Sequence, residues 1–184
     1  MSETHVHVDP SNKKVALFIA VLALVLAFSE TLGKAAQTSG LASHIEASNL
    51  WSFFQAKTIR QTTVRTAAEE MEAQFGRKAP EAVKKQVDAW KKTADRYQSE
   101  PETSEGRKEL MARAKEMEKK RDRAMAAYHN YEIASAAVQI AIVLASAQII
   151  TGVAALLWIA YALGALGVAF SLIGFFWPTA VHLF

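Results

Sequence analysis

The chain has 184 residues, a net charge of +3 and no cysteine. Its length allows one soluble domain together with a membrane anchor, and the missing cysteines exclude disulfides, thiolate metal sites and thiol catalysis. Charged residues of both signs are mixed in the middle of the chain, which is typical of a solvated helix surface and argues against a nucleic-acid partner.

The N-terminal part predicts one membrane helix. Residues 1–13 form a polar tail, and an apolar block runs from Val15 to Phe28. A helix over 14–33 contains this block and approaches the length that crosses a bilayer. We predict an uncleaved transmembrane helix, because no small-x-small cleavage pattern follows Phe28. Gly33 and Gly40 are expected to separate this helix from the next one.

Residues 34–132 predict a helical hairpin that packs as a coiled coil. Apolar and aromatic residues recur there at alternating spacings of 4 and 3, which is the heptad pattern. In the first helix of the hairpin, Leu41, Ile45, Trp51 and Phe54 mark the first half, and the regular spacing is carried by Val64, Ala68, Met71 and Phe75. The later helices carry it at Val83, Val87, Trp90, Ala94 and Tyr97, and again at Leu110, Ala114 and Met117. A break is expected near Pro101, where Ser99 and Glu102 have the spacing of a capping box.

The C-terminal part predicts two further membrane helices. No charged residue and no histidine occurs between Ile133 and Trp177. About 20 apolar residues cross a bilayer, so this stretch allows two helices, over 133–151 and 155–177, with a turn at Thr151-Gly152 and a short tail over 178–184. The predicted fold class is an all-α membrane protein with three transmembrane helices and a coiled-coil-like helical hairpin between the first and the second.

The most distinctive soluble segment follows the first membrane helix and reads Ala47-Ser48-Asn49-Leu50-Trp51-Ser52-Phe53-Phe54-Gln55-Ala56-Lys57-Thr58-Ile59-Arg60-Gln61. Aromatic anchors beside a cation are suited to binding a partner or a lipid headgroup. The alternative, which we favour, is that the aromatic residues pack against neighbouring helices while Gln55 bonds across the contact. The candidate interaction residues are Trp51, Phe54, Gln55, Lys57 and Gln61.

This segment resembles the signature of an uncharacterised bacterial membrane-protein family, the domain of unknown function 4337. The run from Gln139 to Ser146 is a second point of resemblance, and with the three-helix layout the likeness extends over nearly the whole chain. The resemblance implies a bacterial inner-membrane protein and no assigned activity. The chain departs from the family at Thr151–Ala155, where family members often have a basic cluster.

Polar and small residues in the predicted membrane helices are the other candidate sites. Glu30 is a candidate for proton or cation passage because an intramembrane acid is costly, although its place in the last turn lets it reach headgroups. On the second helix Gln139 and Ser146 share a face, and Gln139 needs a hydrogen-bond partner on a neighbouring helix. On the third helix small residues on one face predict close packing, within the chain or between subunits: Gly164, Gly167, Ser171 and Gly174.

No nucleophile, metal-ligand set or phosphate-binding motif is found, and His5 and His7 in the tail form at most a weak metal site. We therefore predict no enzyme activity, no catalytic residue and no cofactor. The expected function is that of an inner-membrane scaffold or accessory protein, which acts through coiled-coil and membrane-helix assembly. Its expected partners are membrane lipid and further copies of the chain or a larger assembly, and the sequence names no small-molecule ligand.

Two points stay open. The alternative function is a subunit of an ion or small-solute channel, with Glu30 on the path. The side of the membrane that carries the hairpin is also ambiguous: Lys13-Lys14 favours a periplasmic hairpin, whereas the basic residues from Arg113 to Arg123 favour a cytoplasmic one. The first helix usually dominates, so the balance favours the periplasm.

Overall fold

The computed structural model describes residues 10–181, which form four α-helices and one short 3-10 turn at Gly76–Lys78. The helices are α1 (Pro10–Phe75), α2 (Glu81–Gln98), α3 (Arg107–Thr151) and α4 (Ala154–Phe176). No strand occurs in this part of the chain, so the predicted all-α class is confirmed. Three helices, α1, α3 and α4, are long and apolar enough to cross a membrane.

Helix α1 is continuous, so the predicted break at Gly33 and Gly40 is wrong. Both glycines are buried against α3. A Cβ on Gly33 would lie 3.3 Å from Cβ of Tyr131, and one on Gly40 would lie 2.9 Å from Sδ of Met125. These glycines permit a close helix contact, and the surrounding helix formers tolerate the roughly 1 kcal/mol that each costs relative to alanine.

The helix starts at Pro10, within the stretch predicted as a polar tail. The candidate metal ligands His5 and His7 lie outside the described residues, and so does the end of the C-terminal tail, residues 182–184.

Leu41–Arg121 form one compact unit, which we call the hairpin unit. Helix α1 is one arm, and α2 followed by the start of α3 is the other. The residue numbers of the contacts run in opposite directions along the two arms: Trp51 bonds to Glu118, Gln61 to Gln98, and Glu72 to Lys91. The two arms are therefore antiparallel, and the returning arm is interrupted at residues 99–106.

The buried side of α1 in this unit follows a strict heptad spacing. We call this set the inner seam: Ser43, Ala47, Leu50, Phe54, Lys57, Gln61, Val64, Ala68 and Met71. Leu41 and Ile45, which were predicted to lie on the packed side, are 59% and 53% exposed. Phe75, at the end of α1, is also exposed. Two residues along a helix turn the side chain by about 200°, so Leu41 and Ser43 lie on opposite faces.

The rest of the described chain, up to Gly40 and from Asp122, forms a second compact unit built from the apolar parts of α1, α3 and α4. Its core consists of Val15, Leu22, Val138, Ala141, Ala145 and Ala160. The rings of Phe18 and Tyr161 meet edge to face at 4.6 Å. The outer faces expose large apolar side chains, such as those of Leu17, Val143 and Trp158, and such a surface suits lipid better than water.

The turn between α3 and α4 lies at Thr151 and Gly152. Gly152 has φ of +71°, a conformation that side-chain-bearing residues rarely adopt, and α4 begins two residues later. The compact units divide after Gly40 and after Arg121, inside continuous helices, whereas the predicted hairpin domain spanned 34–132.

Candidate functional site

The distinctive segment of α1 lies opposite the break in the returning arm. Near that break the last carbonyl groups of α2 and the first amide groups of α3 have no partner within their own helix, so they need partners from other parts of the chain or from water. Four of the five candidate interaction residues pack against the returning arm: Trp51, Phe54, Lys57 and Gln61. The fifth, Gln55, is exposed, so its predicted bond across the contact is wrong. Gln55 is one position past Phe54, outside the inner seam.

Lys57 connects α1 to residues 99–106, the loop that interrupts the returning arm. Its residue is only 6% exposed, and Nζ lies 3.6 Å from Oε2 of Glu100 and 3.7 Å from Oε2 of Glu105. The ammonium group also lies 5.3 Å from the ring centroid of Tyr97 and 5.6 Å from that of Phe53. A buried lysine needs opposite charge or aromatic faces to offset its lost hydration, and this environment supplies both.

Gln61 and Arg107 connect α1 to both helices that flank the break. The Gln61 amide nitrogen donates to the backbone oxygen of Ala94 at 3.0 Å and to Oε1 of Gln98 at 3.2 Å. Arg107, the first residue of α3, donates from Nε to Oγ1 of Thr58 at 2.8 Å and from Nη1 to Oε1 of both glutamines. Its guanidinium carbon lies 5.0 Å from the ring centroid of Phe54. Gln61 therefore bonds to α2 and α3 at once.

Trp51 connects α1 to α3 at a point beyond Arg107, at Glu118. The indole Nε1 donates to Oε1 of Glu118 at 2.9 Å, and the ring meets Phe54 edge to face at 5.4 Å. Both rings pack against a small buried cluster of Leu50, Leu110 and Ala114. The aromatic residues are thus anchors within the hairpin unit, as the packing interpretation of this segment holds.

Hydrogen bonds to Glu109 link the end of α2 to the first turn of α3 across the break. The Ser99 hydroxyl donates to Oε1 of Glu109 at 2.6 Å, and the backbone N–H of Glu100 donates to Oε2 of the same carboxylate at 3.2 Å. The predicted capping box is therefore wrong in its partner: Glu109, in the first turn of α3, takes the place of Glu102. The hydrogen bond from Ser99 lowers the pKa of the Glu109 carboxyl.

We call the set formed by Lys57, Thr58, Gln61, Arg107 and Glu109 with their bonded neighbours the splint. Sequence reasoning did not identify its members on the returning arm, because they lie about 40 to 50 residues along the chain from their partners on α1. One signal was available. Lys57 and Gln61 occupy heptad positions between Phe54 and Val64, and a charge in a buried seam requires a partner of opposite charge.

In the second compact unit, which we call the apolar unit, the candidate polar residues Glu30 and Gln139 meet. Nε2 of Gln139 donates to Oε1 of Glu30 at 3.1 Å. They line an open groove of about 460 Å³ between α1 and α3, whose other walls include Lys34, Tyr128 and Glu132. Glu30 and Gln139 are exposed, so each has a partner and also access to the surroundings.

The small residues of α4 are used for packing inside the chain. A Cβ on Gly164 would meet Leu22 and Phe18 of α1, one on Gly167 would meet Val138 of α3, and one on Gly174 would meet Asn130 and Tyr131 of α3. The hydroxyl groups of Ser171 and Ser29 are 2.8 Å apart. Ser146, by contrast, donates to the Ile142 oxygen of its own helix.

Residues 11–177 match the family described as Domain of unknown function (DUF4337). The chain belongs to this family. The resemblance that the segment from Ala47 to Gln61 indicated is thereby confirmed. No curated protein and no solved structure matches this DUF4337 chain.

Charge pairing and hydrogen bonding make up the contacts of the splint in this DUF4337 chain. Within residues 10–181 no group of three or more His, Asp or Glu side chains is placed to hold a metal ion. The cations and amides of the splint bond to groups of the hairpin unit itself, so they brace the returning arm.

Proposed function

We propose that this DUF4337 protein is a non-enzymatic, multi-pass protein of the bacterial inner membrane. Its hairpin unit acts as a coiled-coil scaffold that assembles with further copies or with a larger membrane complex. One observation carries the proposal: the buried polar residues of the segment from Ala47 to Gln61, Lys57 and Gln61, are bonded within the hairpin unit and brace it. A site built for a substrate would instead leave such groups directed at an open cavity.

The exposed apolar surface supports the membrane location. Side chains such as those of Leu24, Ile150 and Phe175 are 58%, 86% and 60% exposed on three different helices. Water-exposed apolar surface on this scale is rare in soluble monomers, whereas lipid accommodates it without cost. Lipid is therefore the first partner of the chain.

The hairpin unit lies in the periplasm in this proposal, and single cysteines test the topology because the chain has none of its own. Thr103→Cys places a thiol in the exposed loop, away from Gln98, which is bonded within the splint. In intact cells a membrane-impermeant maleimide should label Thr103→Cys and leave Val153→Cys, in the α3–α4 turn, unlabelled until lysis. The reverse pattern would place the hairpin in the cytoplasm, and labelling of both would contradict three crossings.

Assembly is tested separately. Amine-reactive crosslinking in native membranes, through the many lysines of the hairpin unit, should yield a species larger than the 20.2 kDa monomer. The purified protein in mild detergent should show a matching mass. A monomer in both measurements would contradict the scaffold proposal.

The second candidate is a channel subunit, and the groove beside Glu30 and Gln139 is the observation that favours it. Against it, the neighbouring core of Val15, Leu22 and Val138 is apolar and closely packed, so a path through one copy would meet a dry barrier. Proteoliposomes with the protein should show no more cation flux than empty vesicles. Flux that falls with Glu30→Gln would replace the scaffold proposal with the channel.

A further inference from the structure

A second heptad-spaced face of α1 is exposed in the hairpin unit and carries no charge. Its eight positions follow spacings of 4 and 3 without a gap, and we call them the outer seam: Leu41, Ile45, Ser48, Ser52, Gln55, Ile59, Thr62 and Thr66. All eight are exposed, with Leu41, Ile45 and Ile59 at 59%, 53% and 67%. At 1.5 Å per residue the outer seam is about 38 Å long.

The features of the sequence that suggested self-association are already occupied within one copy. The inner seam packs against α2 and α3, and the small face of α4 packs against α1 and α3. An assembly of copies therefore needs another surface. Within the hairpin unit the outer seam is a face of α1 that keeps the coiled-coil period and remains exposed.

We propose that the outer seam is the interface with a second copy of this chain, paired in parallel and in register. This rests on the proposed function, because two copies anchored in one bilayer send α1 out on the same side. In a parallel pair about a two-fold axis each seam residue meets its own counterpart, so any charge on the seam would face a like charge. The outer seam is uncharged from Leu41 to Thr66, and the next position, Glu69, is paired with Arg65 of its own helix.

The composition of the seam fits a second copy better than it fits lipid or a charged partner. Ile45 and Ile59 are β-branched residues at a positions, which favour two strands. The serine, threonine and glutamine residues of the seam are too polar for lipid, and its serines and threonines are small enough for close approach of two helices. A shallow groove of about 570 Å³ lies along the C-terminal half of the outer seam, lined by residues that include Ile59, Thr62 and Thr66. Such a seam is weak in solution, and co-anchoring in a membrane raises the effective concentration that it needs.

Disulfide trapping in native membranes tests the register. Ser52→Cys is close in size to the native residue, whose hydroxyl donates to the Ser48 oxygen of its own helix. Mild oxidation should convert Ser52→Cys to a covalent dimer of twice the monomer mass, because seam residues in register lie within disulfide reach. Ser48→Cys should behave alike. The matched control is Arg60→Cys, which is equally exposed but lies off the seam and should stay monomeric.

A charge on the seam gives an independent variant. Ile59→Glu places two carboxylates face to face and should abolish the amine-crosslinked dimer, whereas Arg60→Glu should leave it unchanged. Circular dichroism should show equal helix content in both, since both sites are exposed.

Four results overturn the inference in distinguishable ways. Equal trapping at Ser52→Cys and Arg60→Cys would mean random collision. A Ser52→Cys adduct of any other mass would mean a different partner. Assembly that persists in amine crosslinking while Ser52→Cys stays monomeric would refute the outer seam and keep the scaffold function, whereas monomers in every assay would refute both.

Discussion

Lys57 Nζ lies 3.6 Å from Oε2 of Glu100, and this ion pair joins the continuous arm of the hairpin unit to the interruption in the other arm. Glu100 is the second residue after α2 ends, and its own backbone N–H donates to Glu109 of α3. One loop residue is thus held from α1 and from α3. The stability of the returning arm at residues 99–106 should therefore depend on Lys57, which lies on the opposite helix.

Lys57→Ala should open this loop selectively. The substitution leaves Glu100, whose side chain is 21% exposed, without its cation, and the half-exposed Glu105 loses less because water screens it. We expect the free energy of local opening to fall by about 1–3 kcal/mol, which is roughly 5- to 150-fold in amide exchange. Hydrogen exchange with mass spectrometry over residues 99–106 measures this in the detergent-solubilised protein.

Arg60→Ala removes an exposed cation one turn away on α1 and should leave exchange in the loop unchanged. Unaltered protection in Lys57→Ala would show that the ion pair contributes nothing to holding the loop.

The Ser99–Glu109 contact predicts that the loop loosens in acid. The hydrogen bond lowers the folded-state pKa of Glu109 below its ordinary value of 4.5, so the carboxylate form is favoured in the folded state. Its stabilising contribution is fully present above about pH 4.5 and is lost as pH falls through the lowered folded-state pKa. Exchange of the Glu100 amide, corrected for the intrinsic pH dependence, should therefore rise as pH falls below 4.5.

Ser99→Ala should raise the pKa of Glu109 toward its ordinary value, because the hydroxyl is the largest cause of the shift. Carboxyl carbon NMR of the selectively labelled residue reports this directly. The exposed Glu102 offers the control, since Glu102→Gln should leave the Glu109 titration in place. A Glu109 pKa that does not move in Ser99→Ala would contradict this assignment.

The fold class was predictable because two signals in the sequence have simple causes. The charge-free stretch from Ile133 to Trp177 is favourable in lipid and not in water, and Val87 and Ala94, which are one heptad apart, are both buried in the hairpin unit. Gly152 marked the turn because of its positive φ. Gly33 and Gly40 led to the wrong prediction of a helix break. Nothing in the local sequence distinguishes a glycine that ends a helix from one that lets a neighbouring helix pack closely.

The face of α1 was harder to predict, because this helix carries two heptad patterns. Leu41 and Ile45 are more apolar than Ser43 and Ala47, yet the latter pair is on the packed side. Hydrophobicity alone therefore selects the wrong face near Leu41. The partners of Lys57 were also hidden, because the pairing of two arms is decided by their relative register, which one helix does not contain.

Gln139→Leu should destabilise the apolar unit slightly by removing the bond to Glu30. An interhelical hydrogen bond in such surroundings contributes about 0.5–2 kcal/mol, so the melting temperature in detergent should fall by a few degrees. Glu30→Gln should have a smaller effect, because its amide oxygen still accepts from Gln139. Gln37→Leu, in the same groove, is the control and should melt like the native protein. Equal melting of all four proteins would mean that the bond adds no stability.

Among the glycine-to-alanine substitutions on α4, Gly167→Ala should lower the stability of the protein most. The new Cβ would collide with Val138 and lie 3.0 Å from the backbone oxygen of Ala134, which cannot move without shifting α3. Overpacking of this kind costs about 1–3 kcal/mol. Gly164→Ala should cost less, because its nearest neighbour is the flexible end of Leu22 at 3.0 Å. Thermal unfolding in detergent ranks the two variants.

Two further variants separate a packing defect from a general effect of added volume on α4. Val138→Ala combined with Gly167→Ala should recover part of the lost stability, because the side-chain collision is removed while the backbone contact with Ala134 remains. Ala165→Val adds more volume on the exposed face of the same helix and should be neutral. If Ala165→Val were as destabilising as Gly167→Ala, the exposed face of α4 would itself be packed, and a second copy of the chain would be the first neighbour to test there.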